Sequence, residues 1–188
     1  LNGTITISSS LTWNSGTLIG NLTIPNMASL TLATTSTKIL AANASLTNQG
    51  TLNWNAGNIY FYNQTLLTNA AGAVFNAQAN GYALTLADYT PQGLVNAGTL
   101  NALEPLVSYS VPISLQNGAK VTGTLSSSGI VFVAENAVVD LDNVTANADL
   151  TGTNVTLNGA IVWNGSLNGT ITISSSLTWN SGTLIGNL

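Results

Sequence analysis

Short runs in which apolar and polar residues alternate recur along the whole chain, for example at 4–7, 30–32, 51–54, 84–86 and 139–142. A period of two is typical of a strand with one buried face. Thr, Ile, Val and aromatic residues dominate these runs, as expected on a pleated surface. No stretch combines a 3.6-residue period with capping residues. The sequence therefore predicts an all-β protein of short strands.

Tight corners separate the predicted strands. Asn-Ser-Gly at 14–16, Pro-Asn at 25–26, Asn-Ala-Gly at 55–57 and Asn-Gly at 117–118 are the clearest of them. Gly and Asn tolerate the positive φ that such corners require.

One signature, an Asn followed by small residues and a β-branched or apolar strand, recurs every twenty-odd residues. It begins at Asn2, Asn26, Asn48, Asn69, Asn96, Asn117, Asn136 and Asn158. A parallel β-helix returns the chain to the same side once per coil, whereas a sandwich of hairpins has no such period. Equivalent residues of successive coils stack, so Asn above Asn can form a ladder of amide hydrogen bonds.

Residues 1–22 and 167–188 are identical. We therefore interpret 1–166 as one complete unit and 167–188 as the start of the next, with Leu1, Leu22, Leu167 and Leu188 marking the unit junction. The fold expected is a single-chain, right-handed parallel β-helix, or β-solenoid, with about seven or eight coils per unit.

For units to join without a break, the stretch 1–166 is expected to close a whole number of turns. At roughly 4.8 Å per coil, one unit then advances about 36 Å. Neither end resembles the polar cap that natural solenoids carry. We therefore expect further copies of the unit as end-to-end partners, either joined covalently or stacked, with lateral self-association as a further contact.

Composition limits the other partners. Hydrophobic residues make up 45% of the chain and charged residues only 4%, against about a quarter charged in ordinary soluble domains. Stacked charges would repel, which gives a physical reason for their rarity. Two basic residues against six acidic ones supply no footprint for nucleic acid. No apolar run approaches the roughly 20 residues of a membrane span, and no Cys is present for disulfides.

The stretch at 11–32, LTWNSGTLIGNLTIPNMASLTL, resembles repeats of the LTWTGGTLSGSGTLTIPAGATL type in very large bacterial surface and secreted proteins. Residues 38–40, 46–59, 68–76 and 95–101 are similar to later parts of such repeats, in the same order. The resemblance implies a β-helical, adhesin-like extracellular stalk and provides no catalytic residues. This chain departs from the pattern by using Asn where those repeats tend to use Gly or Thr.

Candidate chemistry is sparse. The chain contains no His, which excludes Ser-His triads and His-based metal sites, and no nucleophile, base and orienting group can be named together. We therefore expect no enzyme and no cofactor. Asp140 and Asp142 lie two apart on a predicted strand and are a weak candidate for Ca²⁺. A solvent-facing pair beside a buried Val and Leu is the alternative, and no Asp/Gly-rich loop spacing supports a metal.

The aromatic residues allow two interpretations. Trp13, Trp54, Trp163 and Trp179 each precede Asn, with Gly within three residues, which indicates a shared structural position. Such a Trp can stack on a sugar, or it can pack at a corner with its N–H bound to a turn carbonyl. Tyr60 and Tyr62 alternate with a Phe, so an exposed pair could contact glycans or another fibre.

Asn-any-Ser/Thr acceptors occur eight times, against about six expected by chance from 25 Asn and 44 Ser plus Thr. They are therefore only candidate glycosylation sites. The acceptors are Asn2, Asn21, Asn43, Asn63, Asn143, Asn154, Asn164 and Asn168.

Two functions of different classes follow. The first is a structural repeat of a giant extracellular β-solenoid fibre, serving as a surface filament, a sheath or an adhesin stalk. The second is a glycan-binding β-helix module of a cell-surface adhesin. Repetition favours the first, since a shaft gains from every added copy whereas a binding site is usually grafted once.

Overall fold

A computed structural model describes residues 1–88, 93–105 and 107–188. In these ranges the chain forms 23 strands and no helix, and the strands pair in parallel to make one β-solenoid of about nine turns. The predicted all-β parallel fold is confirmed. The strands are β1 Asn2–Thr6, β2 Ser10–Trp13, β3 Gly16–Ile24, β4 Ser29–Leu32, β5 Lys38–Leu40, β6 Ser45–Asn48, β7 Thr51–Trp54, β8 Ile59–Phe61, β9 Leu66–Asn69, β10 Val74–Ala77, β11 Ala83–Leu86, β12 Leu94–Asn96, β13 Thr99–Ala102, β14 Ser108–Tyr109, β15 Ile113–Leu115, β16 Lys120–Ser127, β17 Val131–Val133, β18 Val138–Asn147, β19 Leu150–Asn158, β20 Ala160–Asn164, β21 Leu167–Ile173, β22 Ser176–Ser181 and β23 Leu184–Asn187.

Each turn of the solenoid has three faces, and the pairing registers assign every segment to one of them. Face A contains residues 10–13, 29–32, 51–54, 74–77, 99–102, 120–123, 138–142, 155–158 and 171–173. Face B contains residues 1–3, 16–18, 38–40, 59–61, 83–86, 108–109, 124–127, 144–147, 161–164 and 177–181. Face C contains residues 5–7, 22–24, 45–48, 66–69, 94–96, 113–115, 131–133, 150–152, 167–169 and 184–187.

Apolar columns fill the interior because alternate residues of each strand point inward and equivalent residues stack in register. On face A, six buried side chains follow one another from coil to coil. They are Leu30, Leu52, Phe75, Leu100, Val121 and Leu141. Each apolar residue thus packs against the equivalent residue above and below it, which makes the core continuous along the axis.

A ladder of three buried asparagines runs through the interior on face C. Asn48 Nδ2 donates to Asn69 Oδ1, and Asn69 Nδ2 donates to Asn96 Oδ1, both over 2.7 Å. The same Nδ2 groups, and that of Asn96, also donate to the backbone carbonyls of Val74, Thr99 and Lys120. The predicted amide ladder is present, and Ile24 and Leu115 occupy the equivalent positions at its two ends.

Coil length varies systematically along the axis. Asn2 pairs with Ile19 in the first coil, whereas Leu67 pairs with Leu94 in the middle of the unit, a much wider separation along the sequence. Near the other end the separation returns to that of the first coil, between Leu150 and Leu167. The coils at both ends of the unit therefore contain fewer residues than those in its middle. Among the described residues, no helix is long and apolar enough to cross a membrane.

The unit does not close a whole number of turns. Residues 1–3 lie on face B, whereas their copies 167–169 lie on face C. Between the two, the chain passes through eight full turns and one further face. The expectation of whole turns was wrong because the coils at the unit ends are shorter than those in the middle, so the phase cannot be derived from a mean coil length.

Candidate functional site

The two copies of the repeat, residues 1–22 and 167–188, adopt the same strand pairing. In the first copy Asn2, Gly3 and Thr4 pair with Ile19, Gly20 and Asn21. In the second copy Asn168, Gly169 and Thr170 pair with Ile185, Gly186 and Asn187. The same short coil is therefore built in the same way at both ends, although the two coils begin on different faces.

The surfaces of the two copies differ because only the first is followed by further coils. Leu18 and Leu22 in the first copy are fully buried. In the second copy Leu184 and Leu188, which are the same residues of the repeat, are 37% and 55% exposed. The upper side of the last coil, residues 172–188, is thus an exposed strand edge that includes these apolar side chains. We call this surface the terminal edge.

A column of glycines lets the coils at the two ends of the unit approach closely. A Cβ on Gly169 would overlap the carbonyl oxygen of Gly152, and one on Gly186 would overlap that of Gly169. Gly20 stands above Gly3 in the same way, and all except Gly152 have positive φ. Asn-Gly pairs predicted corners in the sequence, but the sequence did not indicate that the glycines at 3 and 20, or those at 152, 169 and 186, stack on each other.

Trp13, Trp54 and Trp163 have their indole rings inside the solenoid and are at most 5% exposed. Trp13 Nε1 donates to the carbonyl of Ser15 and Trp54 Nε1 to that of Gly57, over 2.8 and 2.7 Å. This geometry is the corner packing that the sequence offered as one of two interpretations. A sugar has no access to these three rings in the folded solenoid.

The four tryptophans form two pairs rather than one column. Trp13 and Trp54 lie on face A with Leu32 between them, whereas Trp163 and Trp179 stack directly on face B. Trp163 Nε1 is buried without a hydrogen-bond partner among the described residues. Trp179, in the terminal edge, donates to the carbonyl of Gly165 over 3.0 Å.

Tyr60 and Tyr62 flank buried Phe61 and face outward. Tyr60 stands between Ile39 and Thr85 on the outside of face B, and Tyr62 is 42% exposed. These two rings are the only surface-facing members of the five aromatic candidates for glycan contact.

Asp140 and Asp142 lie on the outside of face A beside Lys120, whose Nζ is 3.9 Å from an oxygen of Asp140. Asn158 Nδ2 donates to Asp140, and Asn143 Nδ2 donates to Asp142. Lys120, Asp140, Asp142 and Asn158 border an open groove of about 350 Å³. Within the described part of the chain no three His, Cys, Asp or Glu side chains are grouped as a metal site requires.

Seven of the eight candidate glycosylation acceptors are exposed, and Asn164 is half-buried. Asn43, Asn143 and Asn154 occupy corners with positive φ. The Nδ2 groups of Asn143, Asn154 and Asn164 donate to a neighbouring side chain. A glycan on these three would replace one hydrogen of that amide.

Two buried polar residues were not predicted from the sequence. Lys38 is fully buried, and its Nζ donates to the carbonyls of Thr34 and, over 2.9 Å, Ala56; burial lowers the pKa of its ammonium below 10.5. Tyr109 is also fully buried, and its hydroxyl has no partner among the described residues. Burial raises the pKa of that phenol above 10.0. No local pattern distinguishes either residue from a solvated one.

No protein family, curated protein or solved structure matches this chain. The candidate site therefore rests on the geometry of the repeat itself, and its main element is the terminal edge.

Proposed function

We propose that this chain is a structural repeat of an extracellular β-solenoid fibre, in which units equivalent to residues 1–166 follow one another and extend a single stack of coils. The observation that carries the proposal is the identical register of the two copies of the repeat. The coil that ends one unit is also the coil that begins the next, so the stack has no seam.

Two features support the role of a shaft that resists axial extension. Strand pairing runs along the axis through all three faces, so that extension is opposed by a continuous row of backbone hydrogen bonds. The apolar columns and the Asn ladder follow the same direction. The extracellular location and the roles of surface filament, sheath or adhesin stalk follow from the resemblance of the repeat motif.

The glycan-binding alternative has weaker support. Three of its five aromatic candidates lie in the core, and only Tyr60 and Tyr62 face outward.

Electron microscopy of a chain that contains three consecutive units would test the proposal. We expect unbranched rods of constant width that lengthen by about 40 Å with each unit, at roughly 4.8 Å per coil. A row of separate globules would contradict it. Antibodies against the unit should decorate filaments outside the cells that produce the chain, and labelling confined to the cell interior would contradict the extracellular role.

A further inference from the structure

We infer that the terminal edge receives the next unit of the same sequence with a rotation of one face, so that each unit of the array is turned by a third of a turn relative to the unit before it. The inference rests on the proposed tandem fibre. Three consecutive units would then restore the starting orientation.

The two copies of the repeat begin on different faces of the solenoid. The first copy places its Trp on face A, where Trp13 pairs with Leu32. The second copy places the same residue, Trp179, on face B, where it pairs with Trp163. Each strand pairs with the segment one full turn, or three faces, further along the chain. The pairs within a unit therefore stay the same when the whole unit is shifted by one face.

Chemically matching residues stack where the second copy begins. In the rotated register Trp179 stacks on Trp163, Gly169 on Gly152 and Thr172 on Thr156. Asn180 Nδ2 also donates to Asn164 Oδ1 over 3.0 Å. Like residues therefore meet at the start of the second copy.

A whole-turn register would lose these matches. Residues 167–169 would then have to return to face B, where 161–164 already lie. Only residues 165 and 166 separate the two segments, which is too few to pass faces C and A, since an extended residue spans at most about 3.6 Å. Trp179 would leave Trp163 and move to face A. In the rotated register, position 169 requires glycine, because a Cβ there would overlap the carbonyl oxygen of Gly152.

The rotation has a consequence for the surface of the fibre. A side chain on one face of the unit, such as Tyr60 on face B, would point in three directions in three successive units. A fibre built in this way presents the same surface on all sides, so lateral association through that surface is not restricted to one plane.

Engineered disulfides test the register in the chain as it is, because the sequence contains no Cys. Val162 and Thr178 are paired on face B, and adjacent strands bring Cα atoms within the range that a disulfide spans. We expect Val162→Cys/Thr178→Cys to lose both free thiols on mild oxidation, with no dimer on a non-reducing gel. Thr156→Cys/Thr178→Cys should keep both thiols, because Thr156 lies on face A and Thr178 lies on face B.

Thr156→Cys/Thr172→Cys is the matched control, since Thr156 and Thr172 pair on face A and their disulfide shows that Cys at 156 can react. Cross-linking of 156 with 178 instead of 162 with 178, or failure of the 156–172 pair, would overturn the inference.

The array itself is tested with Met27→Cys in each unit of a three-unit chain. Met27 is 96% exposed, and its gold-labelled thiols should appear on three sides of the rod, about 120° apart from unit to unit. Any twist of the coil stack adds the same angle to the rotated and the unrotated array. Labels that differ from unit to unit by this twist alone would overturn the rotation. That result would leave the fibre proposal intact, whereas a rotated array without native filaments would remove the fibre and keep the rotation.

Discussion

At the scale of single residues, the interior Asn ladder is the most demanding arrangement in the solenoid. Asn69 is its central member, because it accepts from Asn48 and donates to Asn96 and to the carbonyl of Thr99. All three side chains are fully buried, so water cannot replace a lost partner. The ladder is stable only while every amide in it is bonded.

We therefore expect Asn69→Leu to lower the free energy of unfolding by about 2 to 4 kcal/mol. The substitution leaves one amide hydrogen of Asn48 and the Oδ1 of Asn96 buried without a partner. Denaturant unfolding measures the loss. Asn76→Leu is the matched control, because Asn76 is the centre of a half-buried outer ladder with Asn53 and Asn101 where water can substitute. Equal losses in the two variants would contradict the importance of burial.

Tyr109 gives a prediction with a pH dependence. Its hydroxyl is buried without a partner among the described residues, so Tyr109→Phe should raise the free energy of unfolding by about 1 kcal/mol. Burial raises the pKa of the folded-state phenol above 10.0. Above that pH the unfolded chain releases a proton that the folded chain retains, so the stability contributed by this group falls as pH rises.

The gap between the unfolding free energies of Tyr109→Phe and the unmodified chain should widen by about 1.4 kcal/mol per pH unit above pH 10. Lys38 also contributes to the pH dependence of stability, because burial lowers the pKa of its folded-state ammonium. Its contribution is the same in both chains and cancels from the difference between them. A gap that is constant from pH 8 to pH 11 would contradict the prediction.

At the scale of strands and corners, the glycine column sets how closely the coils approach. Gly3 and Gly169 occupy the same position in the two copies, yet a Cβ on Gly3 would meet nothing within 4 Å whereas one on Gly169 would overlap Gly152. Both have positive φ and share that backbone cost, about 1–2 kcal/mol.

Gly169→Ala should therefore lose hydrogen-exchange protection in β19, while Gly3→Ala should leave the protection of the facing residues 19–23 in β3 nearly unchanged. Gly3 and Gly169 have the same neighbouring residues within the repeat. A difference in hydrogen-exchange protection between the two variants therefore reports only whether a coil lies below the glycine. Equal effects in the facing strands would show that φ alone determines the cost.

Strands and corners could be predicted because alternation and Asn/Gly punctuation are local signals. The three signature residues Asn48, Asn69 and Asn96 form the predicted ladder. Asn26, Asn117 and Asn136 instead occupy turns, because corners of different length move the signature out of register. The inward direction of the Trp residues could not be chosen from sequence, since alternation identifies two faces without saying which is buried.

At the scale of the whole molecule, the face on which each copy of the repeat begins could not be predicted from the sequence. The number of turns depends on every corner, and the sequence separation of paired residues is small near the unit ends, as between Val155 and Ile171, and large in the middle, as between Leu67 and Leu94. An error of one corner changes the face on which the next unit begins. The face on which the second copy begins is therefore a property of the whole stack of coils.

If the terminal edge is the seat of the next unit, extending the chain must bury it. Leu184 is 37% exposed, whereas Leu18, its equivalent in the first copy, is fully buried beneath later coils. Ile185 and Ile19, which are the same residue of the repeat, are both exposed, at 57% and 51%. The test is a chain extended beyond Leu188 by a copy of residues 23–62. In this chain we expect maleimide to label Leu184→Cys more slowly by about tenfold or more, because labelling then requires local opening of the covering coil. Labelling of Ile185→Cys should be unchanged by the same extension, and a scrambled extension should protect neither thiol. Unchanged reactivity of Leu184→Cys in the extended chain would contradict seating of a following coil, because an apolar side chain at that position cannot stay accessible under a paired strand.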